Sequence, residues 1–242
     1  MYVDFNPRQE NLRGEIREYF EKLMTPDRKK SLVGVYQGKE YKETIRQIGK
    51  DGWLGVGWPS EYGGHGFTAL EQLIFVDEAR RTGAPLPFVT LNTVGPALMV
   101  HGTEDQKSQF LPRILAGDVH FAIGYSEPNA GTDLAALSTK AERNGDEYVV
   151  NGTKMFTSGA GDADFIWLAA RTDPNVKKHK GITMLMTSTE DPGFSASPIH
   201  TVGGGRTHMS YYEDVRVPVS MRVGDENAGW GIVTLQLNHE RI

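Results

Sequence analysis

The feature that most constrains this chain is a change of period near Gly117–Asp118. Before it, apolar residues recur at helical spacing. In PRQENLRGEIREYFEKLM, Leu12, Ile16, Phe20 and Leu23 fall on one face with charges between them. A shorter helix is expected around Ile45 and Ile48, and further helical patterns run over Leu70–Ala79 and Thr93–Val100. Thr103 and Gln106 form a capping-box signature ahead of Phe110, Leu111 and Leu115. After the change come VHFAIGY, EYVVNGTKMFT, DFIWLAART, GITMLMTS and MSYYEDVRVP, all rich in β-branched and aromatic residues. Asn144-Gly145 and Asn151-Gly152 are both hairpin signals. Helices first and strands second predict segregated layers, an α+β fold, rather than alternating βα units. From Gly229 a helical pattern returns, with Val233, Leu237 and Glu240 in a narrow arc, and a further helical domain is expected to follow Ile242.

Composition narrows the function. The net charge is −5, and the densest basic run, Lys177–Lys180, sits between Pro and Gly as a solvated loop, which argues against nucleic acid. With no cysteine, disulfides, thiol nucleophiles and Cys-based metal sites are excluded. The seven histidines form no HExxH, so no metal site is expected, and His200 and His208 read as surface or partly buried. No signal peptide or membrane span is visible, and a cytoplasmic location is expected.

Two loops carry chemistry. YSEPNAGTD, residues 125–133, is longer and richer than a hairpin turn needs. Asn129 and Gly131 are expected to take positive φ and aim backbone N–H groups into one concavity, with Ser126 and Thr132 adding hydroxyls. KMFTSGAGD, residues 154–162, sets the aromatic face of Phe156 beside Thr157 and Ser158, which suits a flat hydrogen-bonding ring. Residue types alone leave open an elaborate surface turn and a packed strand end. TVGGGRTHMS lacks the context of a phosphate loop and reads as a mobile connection with Arg206 as a possible contact.

Taken together, these stretches resemble the acyl-CoA dehydrogenase family. The resemblance rests on GWLGVGWPSEYGGHG, HGTEDQKSQFLPRILAGDVHFAIGYSEPNAGTDL, DEYVVNGTKMFTSGAGDADFIWLAART, GGGRTHMSYYEDVRVP and GDENAGWGIV, in that order. It implies an N-terminal helical domain over 1–118, a middle β-barrel domain over 119–228, and the start of a C-terminal four-helix domain over 229–242, the rest of which is absent from this chain. It also implies FAD. Ile123, Tyr125 and Ser126 match residues lining the pyrimidine side of the flavin. Gly131 and Thr132 match the end of that loop, where the pyrophosphate and acyl-CoA approach, and Phe156, Thr157 and Ser158 match the aromatic residue and hydroxyls beside flavin N5. Asn129 and Phe156 depart from the family's commoner Gly and Trp.

The implied reaction is α,β-dehydrogenation of an acyl-CoA thioester, a carboxylate taking the α-proton while the flavin takes hydride. Glu240 of LNHERI falls where members resembling isovaleryl-CoA and long-chain dehydrogenases place the base, with Asn238, Arg241 and Thr132 matched to the substrate side. The family's electron acceptor is an electron-transferring flavoprotein. MTPDRKK, KETIRQIGKDGWLGVGWP and GAPLPFVTLNTVGPALMVHGT are further similar to bacterial dehydrogenases of steroid side-chain degradation, which implies a bulky CoA ester and either a homotetramer or an α2β2 assembly with a related subunit. The alternatives are a non-catalytic partner subunit and a flavin oxidase or monooxygenase of the same fold.

Overall fold

The computed structural model describes residues 4–32, 37–202 and 205–239. The chain forms two compact units, residues 1–87 with 115–118, and residues 88–114 with 119–242.

The first unit is helical. α1 (Pro7–Leu23) starts on a capping box in which Asn6 and Gln9 satisfy each other's backbone N–H groups, with Pro7 in the first turn where its missing donor costs nothing. It is followed by α2 (Pro26–Leu32), α3 (Lys39–Lys50) and α4 (Ala69–Thr82). The expected period holds: Ile16, Phe20 and Leu23 of α1 are buried, as are Ile45 and Ile48 of α3. Phe20 packs on Phe75 of α4 at 5.4 Å between ring centres. Between α1 and α4 the buried carboxylate of Glu78 accepts from Arg13 Nε at 2.9 Å and from Arg17 Nε and Nη2 at 2.9 and 2.7 Å. The Arg17 hydrogen bond, with Arg13 behind it, outweighs burial and holds the Glu78 carboxyl at about 2.

The second unit opens with a π-helical turn, Val89–Val94, that runs into α5 (Gly95–His101), and then α6 (Glu104–Leu115). The expected capping box is present, with Gln106 N on Thr103 Oγ1 at 3.2 Å and Thr103 N on Gln106 Oε1 at 3.1 Å. The helices over 88–114 therefore group with the sheet.

Among the described residues eight strands form one sheet: β1 (Phe121–Gly124), β2 (Lys140–Asn144), β3 (Glu147–Lys154), β4 (Phe165–Arg171), β5 (Ile182–Ser188), β6 (Phe194–His200), β7 (Arg206–Pro218) and β8 (Arg222–Val223). Their order is β6-β7-β3-β2-β4-β5-β8. The short β1 lies parallel to β4 over Phe121–Gly124, on the edge that β2 touches further along through Lys140 and Arg171. Ile166, Leu168 and Ala170 on one face of β4 join a core with Tyr148, Val150, Leu185, Tyr212 and Val217. The side chains between them, Trp167 and Ala169, are also fully buried. A strand covered on both faces reads as a continuous apolar run, and FIWLAA is one. α7 (Gly229–His239) returns over β5.

The two hairpin signals part company. Asn144-Gly145 turns the chain between β2 and β3, with Gly145 at φ 64°. Asn151-Gly152 does not turn it; both residues lie inside β3, beside a bulge of β7. There Asp214 takes φ 56° and exchanges hydrogen bonds of 2.9 Å with the Asn151 side chain. Gly152 serves close approach, since a Cβ there would stand 2.6 Å from Thr139 Oγ1. Likewise 201–210 is not simply a mobile connection, because Arg206–Ser210 belongs to β7, where His208 is buried.

Candidate functional site

The sheet order brings the two chemically rich loops together. β1 ends at Gly124, opposite Leu168 of β4. Three residues on, at Arg171, β2 takes over that edge through Lys140, and Lys140 is paired with Asn151 of β3. The exits of β1 and β3 therefore meet, and Met155 N donates to Ser126 O at 2.8 Å.

Glu127 and Lys154 lie under this junction. Lys154 is wholly buried, and its ammonium donates to Glu127 Oε1 at 2.9 Å and to the Tyr125 carbonyl at 3.1 Å. Glu127 also accepts from Ser138 N at 2.7 Å, Ser138 Oγ at 2.8 Å and Thr139 N at 2.8 Å. Burial pushes the Glu127 carboxyl up, but the charge of Lys154 and these hydrogen bonds outweigh it and hold the group at about 2. Burial draws Lys154 downward against the pull of Glu127. Both residues stand inside the quoted loops, yet sequence reasoning missed them. A lysine closing a strand of alternating pattern signals burial only once its partner is known.

The first loop is shaped differently from its expectation. Glu127 and Ala130 exchange backbone hydrogen bonds of 2.9 and 3.1 Å around Pro128 and Asn129. Pro128 sets a negative φ at the first central position, and neither Asn129 nor Gly131 takes positive φ. Gly131, Thr132 and Asp133 are exposed, and Asp133 pairs with Lys178 at 2.6 Å. The left-handed residue is in the second loop instead. Phe156 holds φ 60° and is 61% exposed. An exposed aromatic ring in that region is strained by about 1–3 kcal/mol, and such strain gathers at binding sites.

The other candidate residues separate by depth. Ser126 is partly exposed, and Ser158 is exposed with its hydroxyl on Thr207 Oγ1 at 3.1 Å. Thr157 is fully buried, its N–H on His208 O at 2.9 Å and its hydroxyl 3.1 Å from Ser210 Oγ. Ile123 is half-buried in β1. The Tyr125 ring is buried, and its hydroxyl donates to Gln236 of α7. Gln236 also accepts from Trp167 Nε1 at 2.9 Å and donates to Thr93 O at 3.2 Å. Gln236 is a third residue the sequence reading passed over. Glu240 and Arg241 lie outside the described residues, as does the side chain of Asn238. Among the described residues no group of acidic, His or Cys side chains could hold a metal ion, and no helix is long and apolar enough to cross a membrane.

A helical region followed by a sheet-rich region is the order of the N-terminal and middle domains of the acyl-CoA dehydrogenases. The N-terminal domain model of that family matches residues 6–118 and its middle domain model matches residues 122–215, so the chain belongs to the acyl-CoA dehydrogenase family. It is 57% identical to acyl-CoA dehydrogenase FadE26 of Mycobacterium tuberculosis, over all of this chain and 62% of that protein. It matches a chain of the ChsE4-ChsE5 complex from Mycobacterium tuberculosis at 58% identity with a TM-score of 0.93, over 99% of this chain and 61% of that one. It matches the Tcur3481-Tcur3483 steroid ACAD at 53% identity with a TM-score of 0.95, over 100% of this chain and 63% of that one. The chain thus spans less than two thirds of the length of these relatives.

Proposed function

We propose that this chain supplies the flavin-binding part of an FAD-dependent acyl-CoA dehydrogenase acting on a steroid side-chain CoA ester within a heteromeric assembly. The observation that carries the reading is the junction itself: the Met155–Ser126 backbone bond sets a partly exposed hydroxyl one residue from the exposed, left-handed Phe156. That donor set fits a flat heterocycle edged with carbonyls and ring nitrogens. Phe156 offers its face, Ser126 and Ser158 offer hydrogen bonds to the ring edge, and Ile123, Tyr125 and Thr157 back them from inside the sheet. Gly131 and Thr132 face the pyrophosphate and the acyl-CoA. When bound, FAD supplies a two-electron acceptor for the hydride leaving the β-carbon, and an electron-transferring flavoprotein is the onward partner. The steroid substrate and the two-subunit assembly are supported by the likeness to the ChsE4-ChsE5 complex and the Tcur3481-Tcur3483 steroid ACAD. The domain boundaries read from the sequence, 118/119 and 228/229, belong to the same proposal, as does a cytoplasmic location.

Glu240 is the proposed base. The sequence pattern puts it on the face carrying Val233 and Leu237, seven and three residues earlier. Taking the α-proton there needs an ionised carboxylate, and Asn238 and Arg241 are proposed to approach the substrate beside it.

The test is the visible spectrum of the complete protein with FAD, before and after anaerobic addition of a steroid-CoA or a fatty acyl-CoA. Binding gives a yellow protein, and bleaching by the CoA ester marks dehydrogenation. A protein that takes up no FAD, or a flavin that no acyl-CoA bleaches, ends the reading. Glu240→Gln is expected to cut the bleaching rate by about 10²–10⁴-fold while FAD stays bound. Reduction at the parent rate would move the base elsewhere.

A further inference from the structure

The proposed reading uses Ser126, Phe156 and Ser158 and gives no role to the two charges beneath them. Their burial is hard to explain as stabilisation, because an apolar pair of the same volume commonly serves as well or better. An apolar pair lacks direction, whereas every hydrogen bond here has one. Lys154 grips the carbonyl of Tyr125, which belongs to the same peptide unit as the N–H of Ser126. Met155, next to Lys154, grips the carbonyl of Ser126 from the other side. Glu127 follows Ser126 directly and is tied to Lys154 and to the 138–139 segment. Ser126 is thus held on both flanking peptide units. Phe156 is two residues from the buried ammonium, at the point where the chain adopts its strained conformation.

We propose that Glu127 and Lys154 are a positioning pair, a polar clasp that fixes the 125–127 segment against the 154–156 segment and so sets Ser126 and Phe156 at the spacing a flavin requires. The pair does not touch the cofactor; it acts through the Tyr125–Ser126 peptide and through Met155. The inference rests on the flavin reading for its purpose, but the clasp itself is a statement about two loops of this chain.

The test compares the parent protein with the double variant Lys154→Met, Glu127→Gln, which removes both charges and keeps the volume. Three quantities are read: amide hydrogen exchange at Met155, with Leu168 of β4 as an internal standard; affinity for FAD; and the visible band of bound flavin. Losing the clasp is expected to leave Leu168 protected, speed Met155 exchange by about tenfold or more, weaken FAD binding by about tenfold and shift the flavin band. A residue that merely supports the fold would lower the melting temperature and leave the spectrum of the bound flavin alone. Parent-like exchange at Met155 together with a parent-like flavin band overturns the proposal. If the parent takes up no FAD, the flavin reading fails by itself, and Met155 exchange still decides the clasp: faster in the variant supports it, unchanged overturns it. Should the double variant not fold, Ser138→Ala removes only the hydroxyl bond to Glu127 Oε2. A few-fold faster exchange at Met155 is then expected, and unchanged exchange overturns the clasp.

Discussion

Glu78 in the helical unit and Glu127 in the sheet unit are both buried carboxylates held at about 2, yet they are built to opposite plans. Glu78 is met by Arg13 and Arg17, whose side chains are 27% and 40% exposed. Those side chains stand on α1 and are partly open to solvent. Glu127 is met by a lysine with no exposure at all and by backbone N–H groups of the 138–139 segment. Removing the partner of Glu127 leaves a charge with nowhere to go, whereas removing Glu78 releases two arginines that can turn to solvent. The difference separates two uses of one residue type. Glu78 joins helix to helix, a task packing already shares through Phe20 and Phe75. Glu127 joins loop to loop at the candidate site, through hydrogen bonds that have direction as well as strength.

The comparison is broken most sharply at Lys154. Lys154→Met strands the Glu127 carboxylate in the interior, and a loss of about 3–5 kcal/mol is expected in denaturant unfolding of the sheet unit. A loss under about 1 kcal/mol would mean that water reaches Glu127 and that the two carboxylates are alike.

Acid comes next. Each carboxyl is lowered from 4.5 to about 2 by folding, so each contributes stability that is fully present above pH 4.5 and lost as pH falls towards 2. The unfolding midpoint is expected to fall through that window in the parent. In the double variant Lys154→Met, Glu127→Gln the fall should be shallower, because the Glu127 share is gone. An unchanged acid limb in that variant would show that Glu127 does not contribute to it.

Glu78→Gln should cost less, about 1–2 kcal/mol, since its arginines regain water and a neutral amide still accepts one hydrogen bond. Equal costs for Glu78→Gln and Lys154→Met, measured in the same denaturant series, would erase the distinction drawn here. The smallest effect is expected at Phe156. Replacing it with glycine relieves the left-handed conformation and should raise stability by a few tenths to about 1 kcal/mol while weakening FAD binding. A clear loss of stability would instead make Phe156 part of the sheet unit's packing.

Much of this was legible in the residues themselves, wherever the signal is local. The switch from helical to strand period at Gly117–Asp118, the capping box at Thr103 and Gln106 and the turn at Asn144-Gly145 each depend on a few neighbouring residues, and each holds in the structure. The loops 125–133 and 154–162 were marked by an excess of turn-formers and hydroxyls, and the family resemblance rests on the same short stretches. Tertiary structure decided what depends on residues far apart in the chain. Asn151-Gly152 carries the same letters as a hairpin turn, but Thr139 and the β7 bulge at Asp214 hold it in a strand. Positive φ falls on Phe156 rather than Asn129 or Gly131 because Pro128 shapes one loop and pairing across the sheet strains the other. Lys154 is a buried charge only because Glu127, 27 residues earlier, folds beneath it, and Tyr125 reaches Gln236 across 111 residues. Period and turn chemistry are set by steric contacts within a few residues, so a sequence displays them. Burial and charge pairing are set by which strands become neighbours, and here that was settled by β1 and β2 sharing one edge of β4.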